Sequence, residues 1–291
     1  MGLNGSLGWW AGLLAAVWLG TASADVNVVA LNIEWFPGQK TRPETADVER
    51  HIAETRDVMA ELAPDLLIAT EICDETALRE ALASVPGMDL HVISNFALPE
   101  DDGVERRNQQ IAIASRYFAL AAWAEPWAAT MDHLRRGFAF AALRNPHTGR
   151  LILVYGVHLK SNRSSTPEEE QINYDVRNES IDQLLEHMEY ARKKFEHHGI
   201  DGWIVAGDYN TNHDGRFGDR VVEKLTEAGF WNSWINVPPE ERHTWKGRGN
   251  FEPTTFDYIM TKGLGEADAH LVVTPETISD HNAVVLDITA R

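Results

Sequence analysis

Side chains with oxygen or imidazole groups stand repeatedly where an apolar run of the sequence stops. They are Asn32, Glu71, His158, Asp208, Asn210, Asp257, Asp280 and His281. Singly, each Asn or Asp has an ordinary structural explanation, because these residues often end strands by hydrogen-bonding their own backbone. Their recurrence over most of the chain instead indicates a shared site, held rigidly at the ends of strands.

The residue types in this set suit one kind of chemistry. Carboxylate and amide oxygens are hard ligands for Mg²⁺, Mn²⁺ or Ca²⁺, and no Cys/His group has the spacing of a zinc site. Hydrolysis of a phosphoester requires neutralised phosphate oxygens, an activated water and a stabilised developing charge. One metal site combined with an Asp, an Asn and two His residues supplies all three. The sequence therefore predicts a metal-dependent phosphoester hydrolase.

Apolar runs that precede these residues predict the strands that position them. Strands are expected at residues 26–31, 65–70, 91–93, 110–114, 138–143, 151–157, 203–206, 256–260, 270–273 and 283–288. The segment from Asn145 to Gly149 predicts a hairpin that delivers His158.

Helices are predicted between several of these strands. Thr41 and Glu44 have the spacing of a capping box ahead of one helix, and Asp74 is expected to cap a second. Thr166 and Pro167 open a long third helix that ends near residue 197, and a short helix is expected at residues 221–228. Hairpins mixed with strand–helix–strand units predict two mixed sheets with helices outside, within one domain over residues 25–291.

Six segments, in chain order, resemble the signatures of the endonuclease/exonuclease/phosphatase family, which includes the pancreatic deoxyribonucleases. They are Leu31-Asn32-Ile33, Ala69-Thr70-Glu71-Ile72, Gly156-Val157-His158-Leu159-Lys160-Ser161, Ala206-Gly207-Asp208-Tyr209-Asn210, Phe256-Asp257-Tyr258-Ile259 and Ser279-Asp280-His281. Each segment is weak evidence alone, but the ordered set spans nearly the whole chain. The resemblance implies an α/β fold, specifically a four-layer α/β/β/α sandwich.

The resemblance also implies a role for each matching position. Glu71, aided by Asn32 and Asp280, is expected to hold the divalent cation, with Mg²⁺ expected and Mn²⁺ or Ca²⁺ as alternatives. Glu34 lies two residues after Asn32 and is a further candidate ligand.

The remaining matches are expected to act on water and phosphate. Asp208 would orient or deprotonate the attacking water, and Asn210 would position water and phosphate. Asp257 would hydrogen-bond His281 and favour its imidazolium form. His158 would contact phosphate, and the sequence identifies no partner that orients it.

The N-terminal residues predict export. Residues 1–24 carry no charged side chain and hold an apolar run followed by small residues, which is typical of a signal peptide, here cleaved after Ala24. Cleavage would place the protein in the periplasm or the medium, with no stable membrane span. The missing Lys or Arg leaves a retained anchor as the alternative.

The single cysteine, Cys73, excludes an internal disulfide framework.

The substrate class remains open between nucleic acid and smaller phosphoesters. Export and the sequence from His158 to Ser161 resemble secreted bacterial nucleases, so nucleic acid is the expected partner. The formal charge of −18 favours lipid head groups, inositol phosphates or nucleotides instead. The apolar segment 120–129 is the candidate for a membrane-binding hairpin. A secreted binding module without catalysis is the third alternative, and no feature identifies a protein partner.

Three further residues are expected to have structural rather than catalytic roles. His213 and Asp214 are expected in a solvated loop, and Trp245 is expected to anchor the core or a loop rather than stack on a base.

Overall fold

The computed structural model describes residues 25–96, 108–128 and 136–289. The predicted signal peptide, residues 1–24, lies outside these residues. Among the described residues, no helix is both long and apolar enough to span a bilayer.

The described chain contains the strands and helices that the sequence suggested, in the same order, and two further strands, β5 (Ala119–Pro126) and β9 (Trp231–Asn232). The elements are β1 Asp25–Phe36, α1 Thr45–Leu62, β2 Leu66–Ile72, α2 Glu75–Leu82, β3 Asp89–Ile93, β4 Gln110–Ser115, β5 Ala119–Pro126, β6 Gly137–Arg144, β7 Leu151–His158, α3 Pro167–Phe195, β8 Ile200–Asp208, α4 Val221–Glu227, β9 Trp231–Asn232, β10 Asp257–Lys262, β11 His270–Val272 and β12 Ala283–Thr289. Single 3₁₀ turns lie at Glu196–His198 and Pro239–Glu241.

The strands form two mixed sheets, as predicted. The first has the order β11-β12-β1-β2-β4-β3 and the second β5-β6-β7-β8-β10-β9. The pairs β1/β2 and β7/β8 are parallel, and every other pair of described strands is antiparallel. A mixed sheet brings the carboxyl ends of its parallel strands to one edge, where side chains from several strands can meet.

Alternation along the strands packs the sheets against each other and against helices. Val28 and Ala30 of β1 belong to the core between the sheets, whereas Val29 and Leu31 face α1 and α2. Helices α3 and α4 cover the second sheet, with Ile181 buried against it. The result is a helix–sheet–sheet–helix sandwich.

The two sheets approach each other closely at a glycine of β7. A Cβ atom on Gly156 would lie 2.8 Å from Ile111 Cγ2 and 3.2 Å from Ile68 Cγ2, both in the opposite sheet. The absence of a side chain there allows the sheets to pack in direct contact.

Two of the three predicted helix caps are present. The Asp74 side chain accepts from the Ala77 N–H at 3.0 Å, and Thr166 caps α3 through the Glu169 N–H at 3.2 Å. The predicted capping box before α1 is wrong. That helix begins at Thr45, with Glu44 as an N-cap residue whose side chain makes no capping bond.

The segment expected as an exposed membrane hairpin is instead mostly a strand. β5 pairs with β6 along its length, and Trp123 packs on Phe140 with ring centroids 4.3 Å apart. Trp127 is buried against Phe138, 5.4 Å away. The run of alanines in β5 hid the strand, since alanine has low strand propensity. Residue 129 lies outside the described residues.

Candidate active site

The site lies where the catalytic edges of both sheets meet. In the second sheet, β8 is flanked by β7 and β10, and the register aligns His158 with Asp208 and Asp257 with Asp208. All three side chains are buried. Three adjacent strands therefore deliver an imidazole and two carboxylates to one point.

The first sheet contributes a carboxylate that is joined to this cluster by an asparagine. The Asn32 Nδ2 group of β1 donates to Glu71 Oε1 at 3.1 Å and to Asp208 Oδ2 at 3.0 Å. Its Oδ1 accepts from the Glu34 N–H at 3.0 Å. These neighbours fix the amide orientation, because two carboxylates need donors and an N–H needs an acceptor. Asn32 thus ties Glu71 to Asp208 across the sandwich, and its ligation of a metal stays a prediction.

The backbone around Glu71 adopts conformations that non-glycine residues rarely occupy. Glu71 has φ +64°, and Glu34 and Trp35 on the neighbouring strand have φ +31° and +51°. The Trp35 N–H donates to Glu71 Oε2 at 3.0 Å. Asn210 has φ +52°. Such conformations concentrate at functional sites because they aim side chains that a regular strand would direct elsewhere.

Asp280 lies at the more open side of the cleft, in contact with Glu34. Its Oδ2 accepts from the Trp245 Nε1–H at 3.0 Å, and its N–H donates to Glu34 Oε2 at 3.2 Å. Burial, followed by the charges of Asp280 and Glu71, raises the pKa of Glu34 above its usual value. Glu34, Glu71 and Asp280 therefore concentrate negative charge in one region.

Asp257 and His281 form the hydrogen-bonded pair that the family resemblance implied. His281 Nδ1 lies 2.7 Å from Asp257 Oδ2, and both side chains are buried. Burial opposes protonation of His281, but Asp257, Asp208 and Asp280 outweigh it and raise its pKa to about 10. His281 is therefore an imidazolium at neutral pH.

The surroundings of Asp208 instead favour the neutral, protonated form of its side chain. Burial and the adjacent Asp257 charge raise its pKa to about 7, although His281 and Asn32 oppose the rise. A carboxylate in this range accepts a proton readily near neutral pH. Its Oδ1 also accepts from the Asn210 N–H at 2.9 Å, which fixes the turn after β8.

His158 completes the inner wall of the cleft as a neutral imidazole. Its Nε2 lies 3.6 Å from Asp208 Oδ2 and 4.0 Å from Glu71 Oε1. Burial, Arg136 and His281 hold its pKa well below 6.5. Its Nδ1 is buried and has no hydrogen-bond partner among the described residues, so no described side chain orients the ring.

Arg136, which directly precedes β6, supports this wall. Its guanidinium donates to the carbonyls of Leu159 at 3.0 Å and His158 at 3.3 Å, and to Gln109 Oε1 at 2.8 Å. Because β6 starts at the catalytic edge, the residue before it lies beside the cleft. Arg106, Arg107 and Arg135, the other arginines of this part of the sequence, lie outside the described residues.

The donor set fits a hard divalent cation. The side chains of Glu71 and Asp280 are 15% and 30% exposed, so an ion can reach them, and the charges of both act on Glu34. Asp208, Asp257 and His281 also have ligand atoms within 4.8 Å of one another. We assign that inner trio to acid–base chemistry, because a protonated His281 has no free lone pair for a metal.

Two regions lie outside this cleft: the loop that contains His213 and Asp214, and a cavity at the opposite edge of the sheets. His213 and Asp214 both contact the buried guanidinium of Arg242, His213 Nε2 at 2.6 Å. Asp214 lies in an exposed loop, as predicted, whereas His213 is partly buried. A cavity of about 310 Å³ opens at the opposite edge of the sheets beside Val26 and Ile288, and none of the predicted site residues lines it.

The fold is similar to that of several solved structures. The chain is similar to a truncated TDP2 of Caenorhabditis elegans, with 16% identity, 91% of this chain and 98% of that chain covered, and a TM-score of 0.61. An endonuclease/exonuclease/phosphatase of Bacteroides vulgatus has 15% identity, coverages of 92% and 100%, and a TM-score of 0.65. One from Beutenbergia cavernae has 18% identity, coverages of 91% and 71%, and a TM-score of 0.65.

At these identities the structural likeness establishes the fold alone. No curated protein sequence matches the chain. The model of the Endonuclease/Exonuclease/phosphatase family matches residues 29–281, which is most of the chain. The chain therefore belongs to the endonuclease/exonuclease/phosphatase family, a family of phosphoester hydrolases that depend on divalent metal ions.

Proposed function

We propose that the protein is an exported, Mg²⁺-dependent phosphodiesterase that cleaves nucleic acid. One observation carries the hydrolytic part: Asn32 joins the partly buried carboxylate Glu71 to the buried cluster of Asp208, Asp257 and His281 within one cleft. A ligand for a cation, a proton acceptor and an imidazolium therefore face the same substrate phosphate.

The side chains divide the reaction between them. Asp208 accepts a proton from the water whose oxygen bonds to phosphorus. The bond from phosphorus to the ester oxygen breaks, and its electron pair leaves with that oxygen, which takes a proton from solvent. The His281 imidazolium donates a hydrogen bond to a non-bridging phosphate oxygen and stabilises the charge that grows there. When bound at Glu71 and Asp280, Mg²⁺ supplies Lewis-acid polarisation of the phosphate and of the leaving oxygen.

Several features support nucleic acid over lipid as the substrate. The segment considered for membrane binding is paired in the second sheet, with Trp123 and Trp127 packed on aromatic neighbours. Export brings the enzyme into contact with extracellular polynucleotides rather than cytoplasmic nucleotide pools. The formal charge of −18 still favours small phosphoesters, which are the alternative substrates.

A substrate panel tests this proposal. The purified protein is assayed with plasmid, single-stranded DNA, RNA, sphingomyelin and inositol phosphates, each with Mg²⁺, Mn²⁺ or excess chelator. We expect Mg²⁺-stimulated cleavage of at least one polynucleotide, with Asp208→Asn inactive and the surface variant Asp287→Asn fully active. Cleavage restricted to sphingomyelin or inositol phosphates would replace nucleic acid by that substrate class.

A further inference from the structure

A β-hairpin formed by residues 245–254 projects from the catalytic edge, between Arg242 and Asp257. Trp245 and Thr254 pair through N–H to carbonyl bonds of 2.9 and 3.0 Å, and Arg248 pairs with Phe251 through bonds of 3.2 and 3.1 Å. Gly249 has φ +63° in the two-residue turn between that second pair. A Cβ on Gly247 would lie 2.6 Å from the Phe251 carbonyl oxygen, so this turn needs glycine there.

The base of the 245–254 hairpin is bonded directly to the residues of the site. The Trp245 indole donates to Asp280 Oδ2 at 3.0 Å, and the Lys246 N–H donates to the Asp280 carbonyl at 3.0 Å. Lys246 Nζ donates to the carbonyls of Ser279 at 2.5 Å and Thr274 at 2.8 Å. The Lys246 charge is thus engaged in the anchor. The hairpin is fixed at its base relative to Asp280 and His281.

The side chains at the tip of the 245–254 hairpin are exposed and are not held by comparable contacts with the described residues. The Phe251 side chain is 69% exposed. Arg248 is exposed, and its guanidinium makes no ion pair or side-chain hydrogen bond among the residues that the structure describes. The tip lies about three residues beyond Trp245, which at roughly 3.3 Å per residue is on the order of 10 Å from the hairpin base. An aromatic face and a free cation therefore lie just outside the cleft.

The charge at this rim differs from that of the whole protein. The 245–254 hairpin carries Lys246 and Arg248 against Glu252, a net charge of +1, whereas the chain has −18. Arg216 adds a third cation, because its Nη1 donates to Thr254 Oγ1 at 2.6 Å while the residue remains exposed. A polynucleotide carries phosphates on both sides of the scissile bond, so these cations attract the phosphates that flank the reacting one. A compound with a single phosphate has no such flanking charge.

We propose that the 245–254 hairpin binds single-stranded polynucleotide, with Phe251 stacked on a base next to the scissile phosphate and Arg248 paired with the following phosphate. This inference rests on the proposed nuclease function. Stacking on Phe251 requires an unpaired base, because the faces of bases in a duplex are covered by their neighbours. The hairpin therefore makes single strands and frayed ends the preferred substrates.

The test compares kcat/KM for a short single-stranded deoxyoligonucleotide with kcat/KM for bis(p-nitrophenyl) phosphate, which has no base. In Phe251→Ala the ratio of the two values should fall by about 5- to 100-fold, the usual loss of one base–aromatic stack. Phe251→Trp should restore it. In Arg248→Gln the oligonucleotide KM should rise and the slope of log KM against log salt should decrease by about 0.7, the value for one phosphate contact on a single strand.

Matched controls separate these effects from general changes. Phe118→Ala removes a phenylalanine that is 67% exposed at the opposite edge of the sheets, and Arg192→Gln removes one positive charge from the end of α3. Both controls should keep the wild-type ratio. If wild-type protein cleaves the oligonucleotide and Phe251→Ala keeps its ratio, the hairpin proposal fails while the nuclease function stands. If wild-type protein hydrolyses bis(p-nitrophenyl) phosphate but no oligonucleotide, both proposals fail.

Discussion

Replacing Asp257 by Asn removes one charge from the centre of the site while keeping the side-chain shape. Asp257 is completely buried, and its Oδ2 lies 2.7 Å from His281 Nδ1. The displacement of the His281 pKa from 6.5 to about 10 corresponds to roughly 5 kcal/mol of preference for the imidazolium, at about 1.4 kcal/mol per pKa unit. Asp257 is the largest favourable contributor to that preference, since burial acts in the opposite direction.

The magnitude of the kinetic loss follows from protonation and orientation. If the His281 pKa returns to its ordinary value of 6.5, only about one ring in thirty is protonated at pH 8. Loss of the carboxylate that orients the ring adds to this, and the comparable change in a catalytic triad lowers kcat by about 10⁴-fold. We therefore expect Asp257→Asn to lower kcat by about 30-fold to 10⁴-fold at pH 8.

The pH profile distinguishes this mechanism from misfolding. A group with a raised pKa stays protonated until the pH passes that raised value, so wild-type kcat should not decline on account of His281 below about pH 9. In Asp257→Asn the decline should begin near the ordinary histidine pKa, about 6.5. Initial rates on bis(p-nitrophenyl) phosphate between pH 6 and 9, at saturating Mg²⁺, show whether kcat declines in Asp257→Asn and not in the wild type. Asp287→Asn on β12 is the charge-matched control. The reasoning is refuted if Asp257→Asn keeps the wild-type rate at pH 8, or if its loss multiplies fully with that of His281→Ala.

Three further predictions concern processing, acid stability and packing. Mass spectrometry of the secreted protein should give an N-terminus at or near Asp25, whereas a retained Met1 would favour an anchor. Burial lowers the pKa of His187, so the neutral ring contributes stability that is present above the unfolded value of 6.5 and lost as the pH falls. Urea unfolding should show wild-type stability declining relative to His187→Gln by no more than about 1.4 kcal/mol per pH unit below pH 6.5, and parallel pH dependences would contradict this. Gly156→Ala places a methyl group 2.8 Å from Ile111 Cγ2 and should cost about 1–3 kcal/mol of unfolding free energy; an unchanged urea midpoint would show that the sheets can separate freely.

The strand ends were predictable from sequence because each is a local pattern. An apolar run that stops at Asp208 or Glu71 is visible in a few residues, and parallel strands bring such ends to one edge. The pairing of Asp257 with His281 required the family resemblance, because the two residues are 24 positions apart: Asp257 begins β10 of the second sheet, and His281 lies just before β12 of the first. No local pattern specifies that distance.

The contacts that the sequence did not reveal are those made across elements. Asn32 bridges Glu71 and Asp208, which is 176 positions away along the chain. Trp245 was expected to anchor the core or a loop, and its indole bond to Asp280 anchors the 245–254 hairpin. His213 was assigned to solvent because its loop is polar, but the buried Arg242 pairs with it. Such pairings depend on the packing of whole strands rather than on neighbouring residues.

Metal dependence at Glu71 tests the central claim most directly. Hydrolysis of bis(p-nitrophenyl) phosphate by the intact protein is measured with Mg²⁺, with excess chelator, and after Mg²⁺ is returned in excess, and Mg²⁺ binding is measured by calorimetry. Activity should disappear with the chelator and return with Mg²⁺. Glu71→Gln should stay folded and bind Mg²⁺ more weakly, because one charge is lost from the ligand set, while Glu75→Gln on α2 should match wild type. Full activity in excess chelator, or unchanged Mg²⁺ affinity in Glu71→Gln, would contradict the assignment of this cleft as a metal-dependent hydrolytic centre.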